Sequence, residues 1–166
     1  MKKAYIYDTK LGCILIAEDG LGISEVTLLK ELPWTLELEP YKELFPDYEF
    51  VQTEGIIEAA RQLMEYLDGK RKEFTVRLNP KGTEFQKKVW EALRTIPYGE
   101  TRSYKQIAQT VGNEKACRAV GMANHNNPIL CMIPCHRVIG TNGSMVGYAV
   151  GISVKEQLIN MENERK

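Results

Sequence analysis

The chain has 166 residues, 43% of them hydrophobic and 27% charged, with a formal net charge of zero at pH 7 and a mean hydropathy of -0.32. That is enough chain to bury about two-thirds of its unfolded surface without disulfide staples, and the balance of residues excludes a disordered tail or a fibre. No apolar run approaches the roughly 20 residues of a membrane span, and Asp8 and Lys10 interrupt what would be the apolar stretch of a secretion signal, so a cytoplasmic location is expected.

The first thirty residues alternate short apolar runs with turn signals: Ala4–Tyr7, Cys13–Ala17, Asp19-Gly20, then Ile23–Leu28. This predicts an antiparallel meander. Residues 31–52 are acidic and carry Pro33, Pro40 and Pro46, the pattern of a long surface connection. Ile56, Ile57, Ala60, Leu63, Met64 and Leu67 recur at helical spacing up to Gly69, which predicts an amphipathic helix. A short strand over Phe74–Leu78 is expected after it. No residue pattern in this half points to chemistry.

At Asn79-Pro80-Lys81-Gly82 the charge changes sign. Residues 1–80 hold 10 Lys and Arg against 15 Asp and Glu, whereas residues 81–166 hold 12 against 7 and contain no Asp. Two domains are therefore expected, 1–79 and 80–166. A basic second domain suits a polyanionic partner, since Lys and Arg neutralise phosphates and release counterions; fusion of two unrelated domains would produce the same split. Thr83 with Gln86 is a capping box, followed by an apolar stripe of Phe85, Val89, Trp90 and Leu93 that Pro97 and Gly99 end. Ser103 with Gln106 repeats the box and predicts a shorter helix to about Thr110. Gly112-Asn113 then turns the chain into a third helix, from Glu114 through Ala116, Arg118, Ala119, Val120, Gly121 and Ala123 to Asn126-Asn127-Pro128. Two short helices about a Gly turn have the outline of a helix-turn-helix, although a plain helical hairpin shares it. Ala116, Ala119, Gly121 and Ala123 are poor core material. They would let a polymer backbone approach while Arg118 projects.

Ile129–Ile133 reads as a buried strand and leads into Pro134-Cys135-His136-Arg137-Val138-Ile139. Free cysteine is a sluggish nucleophile until a base, a positive charge or a helix N-terminus draws off its proton. His136 is adjacent in sequence, but neighbouring strand side chains point to opposite faces, so a bridging water or a turn at Pro134 is required. A last helix is expected from Ser153, with Glu156 completing a third capping box; Glu162 lies well along it and could orient the histidine.

The string Pro134-Cys135-His136-Arg137-Val138, preceded by Asn127-Pro128-Ile129 and Arg118-Ala119-Val120-Gly121, resembles the active-site signature of O6-alkylguanine-DNA alkyltransferases. Gly82–Trp90, Ile96-Pro97-Tyr98-Gly99 and Thr101-Arg102-Ser103-Tyr104 match the same family, so the resemblance runs nearly continuously over 82–162. It implies an α+β chain: an N-terminal ribonuclease H-like α/β domain, then a mostly helical, winged-helix-like domain carrying the helix-turn-helix. It implies a DNA-repair enzyme, a methylated-DNA–protein-cysteine S-methyltransferase that moves a methyl or alkyl group from O6 of guanine to Cys135 once and irreversibly. Cys135 would link through water to His136 and Glu162. Tyr104 would donate to guanine N3, and Asn127 would hold the turn before the acceptor. Arg118 would fill the gap left by the base rotated out of the duplex, with Ala116, Ala119 and Gly121 pressed into the minor groove. The carbonyls of Cys135 and Val138 would meet the exocyclic amine, and Tyr148 and Ala149 the far side of the purine. Val150 stands where relatives often carry Gly, which puts bulky adducts in doubt. Double-stranded DNA is the expected partner of a monomer, with no membrane, cofactor or metal. The rival readings are a zinc site drawn from Cys117, His125, Cys131, Cys135 and His136, which lacks a Cys-x2-Cys pair, and a damage sensor of the alkyltransferase-like type, which would lack the acceptor cysteine.

Overall fold

The computed structural model describes residues 2–29, 37–140 and 152–165, with backbone alone at 152 and 153. The chain folds as two units, Met1–Pro80 and Lys81–Lys166.

In the first unit, β1 (Lys2–Thr9), β2 (Gly12–Glu18) and β3 (Ile23–Leu28) form the expected antiparallel meander, with Ala4 opposite Ala17 and Ile16 opposite Val26. β2 lies inside the sheet and its run Cys13–Ala17 is buried throughout. The acidic connection contains more than a loop. It includes α1 (Glu39–Leu44), whose Pro40 sits in the first turn where its missing N–H is not needed, and β4 (Tyr48–Phe50), which joins β1 in parallel and makes the sheet order β3-β2-β1-β4. Local composition hid this strand because it exists only through its pairing with β1.

α2 (Glu54–Leu67) is capped by the Thr53 side chain and packs Ile56, Ala59, Leu63 and Leu67 toward the sheet. Phe74–Leu78 is not a strand. Only Leu78 makes a bridge, to Ile23, anchored by Ile23 N–H to Arg77 O at 2.8 Å and Asn79 N–H to Ile23 O at 2.7 Å.

In the second unit, α3 (Glu84–Arg94) and α4 (Tyr104–Thr110) start at complete capping boxes on Thr83 and Ser103. Between them β5 (Arg102–Ser103) pairs in parallel with β6 (Val138–Ile139), a ladder too short to leave a sequence pattern. α5 (Cys117–His125) begins three residues later than expected, capped by Ala116 without a side-chain bond, so residues 111–116 join it to α4. The expected strand 129–133 is instead a buried turn in which Cys131 takes a left-handed φ of 67°. The chain then forms one 3-10 turn, Cys135–Arg137, and after the undescribed stretch α6 (Ile152–Arg165), whose helix already includes the expected cap position Ser153.

Trp90 of α3 ties this unit together: its ring is 1% exposed and its Nε1 donates to the Ala123 carbonyl of α5 at 2.8 Å. A Cβ on Gly82 would stand 2.5 Å from Trp90 Cη2, and a flat, hydrogen-bonded ring cannot give way locally. Gly82→Ala should therefore destabilise the protein by about 1–3 kcal/mol, read as a lower urea midpoint with an unchanged denaturant slope; an unchanged midpoint would refute the clash.

Candidate active site and nucleic-acid face

Pro134 precedes the 3-10 turn, and in that tight winding successive side chains splay apart instead of alternating across a strand. Cys135 consequently faces Asn127 while His136 and Arg137 reach a different neighbour. Of the two arrangements the sequence allows, a bridging water or a turn at Pro134, the turn is present.

His136 and Arg137 both turn to Glu162 of α6. His136 Nε2 lies 2.6 Å from Glu162 Oε2, Arg137 Nε and Nη2 donate to Oε1 and Oε2 at 2.9 and 3.1 Å, and Gly99 N–H donates to Oε1 at 3.0 Å. Gly99 can present that N–H because it holds a left-handed φ of 80°. Both lone pairs of each carboxylate oxygen are engaged. Burial alone would raise the Glu162 pKa, but the bonds and charges of His136 and Arg137 outweigh it and bring it down to about 2. Burial also lowers the His136 pKa, only partly countered by Glu162. The pair is therefore a neutral imidazole against an ionised carboxylate. With Nε2–H directed to Glu162, Nδ1 carries the basic lone pair.

Cys135 is 1% exposed. Asn127 arranges the loop that delivers it: its Nδ2 faces the carbonyls of Ile133 and Ile129 at 2.9 and 3.3 Å and Cys135 Sγ at 3.1 Å, while its Oδ1 accepts from Ile129 N–H at 3.0 Å. Tyr104, first residue of α4, lies half-buried on the same side; its hydroxyl pKa is raised by burial and by the nearby Cys135, against a bond from Asn124. Lys155 of α6 has its ammonium 5.8 Å from the Tyr104 ring centre, and burial lowers its pKa to about 8. Val138 is fully buried on β6.

On the outer face of α5, Arg118 and Ala119 are exposed, with Ala116 and Gly121 half-buried beside them. Nothing stands within 4 Å of a Cβ built on Gly121, so this face is open. Met122, one turn beyond Arg118, is 61% exposed there. The structure thus brings Cys135, His136, Glu162, Asn127 and Tyr104 to one side of the second unit, while Tyr148, Ala149 and Val150 lie outside the described residues. Among the described residues no three His, Cys, Asp or Glu gather as metal ligands. The clamp residues Arg137 and Gly99, the buried Lys155 and the buried Asn124 escaped sequence reasoning. Arg137 stood in the motif as a bare charge, and nothing local marks an Asn on a helix as buried.

Comparison with known proteins gives two matches that together span nearly the whole chain. Residues 1–80 match the model of the 6-O-methylguanine DNA methyltransferase ribonuclease-like domain, and residues 84–164 that of its DNA-binding domain. A methylated-DNA–protein-cysteine methyltransferase of Methanosarcina acetivorans is 48% identical over 157 residues, covering 95% of this chain and 96% of that protein. The crystal structure of Mycobacterium tuberculosis O6-methylguanine methyltransferase superposes with a TM-score of 0.85 at 38% identity, covering 100% of this chain and 95% of that one. A further M. tuberculosis crystal structure, in complex with DNA, superposes at 0.84 and 38% identity over 98% of this chain and 94% of that one.

The buried clamp makes stability acid-sensitive in a defined order. His136, with its pKa lowered from 6.5, disfavours the fold as pH falls below 6.5, because the unfolded chain takes up the proton first. Glu162, lowered from 4.5 to about 2, contributes stability that is present above pH 4.5 and lost as pH falls toward 2. Glu162→Gln leaves the Arg137 guanidinium buried without its carboxylate and should cost about 3–5 kcal/mol. Urea unfolding across this pH range checks both, and a variant as stable as the parent at pH 7 would contradict the clamp.

Proposed function

We propose how these residues divide the work from one premise: the chain belongs to the 6-O-methylguanine DNA methyltransferase family. It is a DNA-binding repair enzyme that transfers the methyl group of methylated DNA to a cysteine of its own chain.

Cys135 is the acceptor in our reading. It alone of the four thiols carries an Asn127 amide at its sulfur and stands next to a neutral histidine gripped by a carboxylate; that juxtaposition is the observation that carries the assignment. Sulfur attacks the methyl carbon in line, the S–C bond forms as the C–O6 bond breaks, and guanine leaves with its electron pair. The thiol proton passes through water to His136 Nδ1, and the balance is restored when the released guanine is protonated. Glu162 keeps Nε2 protonated and so keeps Nδ1 basic. Tyr104 supplies a hydrogen bond to guanine N3 that eases departure. The thioether has no route back, so each molecule acts once.

O6 of a stacked guanine cannot reach a sulfur this buried, and the base must rotate out of the duplex. α5 does this from the minor groove: Arg118 enters the vacated space, and the small residues Ala116, Ala119 and Gly121 allow the backbone to approach. The carbonyls of Cys135 and Val138 take the exocyclic amine, with Tyr148 and Ala149 across the purine. On this division 80–166 is the DNA-binding and alkyl-acceptor domain, and 1–79 is a structural domain. The chain works as a monomer, since one protomer holds every residue named. Its four free thiols and its thiol chemistry suit the reducing cytoplasm, and among the described residues no helix is long and apolar enough to cross a membrane.

Incubation with a duplex bearing O6-methylguanine should add one methyl mass to the peptide containing Cys135, stoichiometrically and without turnover; Cys135→Ala should leave both protein and DNA unchanged. Repeated turnover, or repair by that variant, would defeat the assignment. Arg118→Ala should slow repair of the duplex at least about tenfold while leaving transfer from the free modified base within about twofold. Equal losses on the two substrates would rule out its role in base extrusion.

A further inference from the structure

The outward face of α5 carries Arg118, Ala119, Met122 and His125, and its inward face Val120, Ala123 and Asn124. Arg118 and Met122 are four residues apart, so their Cβ atoms stand about 5–6 Å from each other on one stripe of the helix. Helical side chains lean toward the N-terminus, which carries the Met122 side chain back over the turn that holds Arg118. Among the described residues the large apolar side chains left exposed are Leu21, Leu44, Ile57, Met64 and Met122, and only Met122 belongs to the second unit. A lone exposed apolar residue is ordinary on a protein surface. Beside Arg118 it has a steric consequence, because it limits how the helix can dock. Ala119 and Gly121 flank it with bare backbone, and nothing stands within 4 Å of a Cβ built on Gly121. A helix that approaches a groove closely at those two residues drives the Met122 side chain into the duplex; in any other arrangement that side chain props the helix away.

We propose that Met122 is an apolar wedge that enters the base stack from the minor groove beside the target guanine, while Arg118 fills the space the base has left. The inference rests on the reading above, in which α5 docks in the minor groove and Arg118 takes that space, and it adds a second residue with a separate task. Methionine suits the task. Its side chain is unbranched and threads a narrow groove, and its polarisable thioether packs on aromatic faces. Apolar side chains, methionine among them, unstack base steps when minor-groove proteins insert them. The guanidinium acts afterwards, by hydrogen-bonding in the gap; it has no apolar surface with which to hold a step open. Opening the step lowers the cost of rotating the neighbouring base out of the duplex. The burial of Met122 is offset by the unstacking it causes, so its contribution falls on the rate at which bound duplex reacts and not on affinity. Because Met122 is 61% exposed, replacing it leaves the packing of α5 intact.

Two substitutions test this. Met122→Gln keeps the length of the side chain and makes its end polar; Met122→Leu keeps it apolar. Duplex affinity, the single-turnover rate at saturating O6-methylguanine duplex, and the fluorescence of a 2-aminopurine placed next to the lesion are measured for the parent and both variants. Met122→Gln should slow transfer about fivefold to thirtyfold, with duplex affinity within about twofold of the parent. The 2-aminopurine, quenched while stacked, should brighten less when this variant binds. Met122→Leu should transfer within about threefold of the parent rate. With the lesion placed opposite an abasic position, where the target base is already poorly held, the glutamine defect should shrink to less than about twofold. An unchanged rate in Met122→Gln, a leucine variant as slow as the glutamine one, or an equal defect on the abasic duplex would overturn the proposal. Absence of transfer by the parent, or an Arg118→Ala variant that loses nothing on duplex, would defeat the underlying reading. A duplex-specific loss in Arg118→Ala beside an unaffected Met122→Gln would defeat this inference alone.

Discussion

One buried carboxylate organises the second unit. Glu162 arrives from α6, yet every lone pair it offers is taken by groups from elsewhere: the His136 ring and the Arg137 fork from the 3-10 turn, and the Gly99 N–H from the segment between α3 and β5. An isolated carboxylate in this setting would take up a proton. Surrounded by donors it stays ionised, and its charge then decides which nitrogen of His136 holds the proton. Arg137 also donates to the Ile96 carbonyl at 2.7 Å, so the clamp reaches back to the end of α3. In the proposed mechanism the chemistry of the thiol depends on the same charge that holds α6 to the 3-10 turn.

Around that clamp, polar side chains replace regular structure. Among the described residues the stretch from Asn126 to Arg137 forms no strand, and Asn127 holds it by facing three backbone groups and the sulfur. Such a loop is specific because its partners are few and directional. It also tolerates the left-handed Cys131, which a ladder would not. α5 is tied to this loop by Asn124, whose Nδ2 donates to the Cys135 carbonyl, and to α3 by Trp90, so in the proposed reading recognition surface and acceptor share one packed body.

What the sequence revealed follows the range of the interaction involved. The capping boxes of Thr83 and Ser103 were legible because each is complete within four residues. The meander was legible because alternation and turns are local too. β4, β5 and β6 were not: each exists through a partner at least thirty residues away. The runs 74–78 and 129–133 were misread as strands because a short apolar stretch says that a segment is buried without saying how its backbone is paired. At the site, Cys135, His136, Asn127, Tyr104 and Glu162 could be named from the motif resemblance. The bonds of Arg137 and Gly99 to Glu162 could not, nor could the place of Asn124 and Lys155, since all arise only once α5, α6 and the 3-10 turn have packed.

On the assignment of Cys135 as acceptor proposed above, the near-complete enclosure of its sulfur bears on how long a molecule stays useful. A reagent that works a single time is wasted by any stray encounter with an oxidant or a dissolved electrophile, and thiols that face solvent are the ones such species find first. Withdrawing the sulfur from water trades away speed against small molecules in bulk solution. It preserves an unreacted inventory for the one electrophile presented on a nucleic acid.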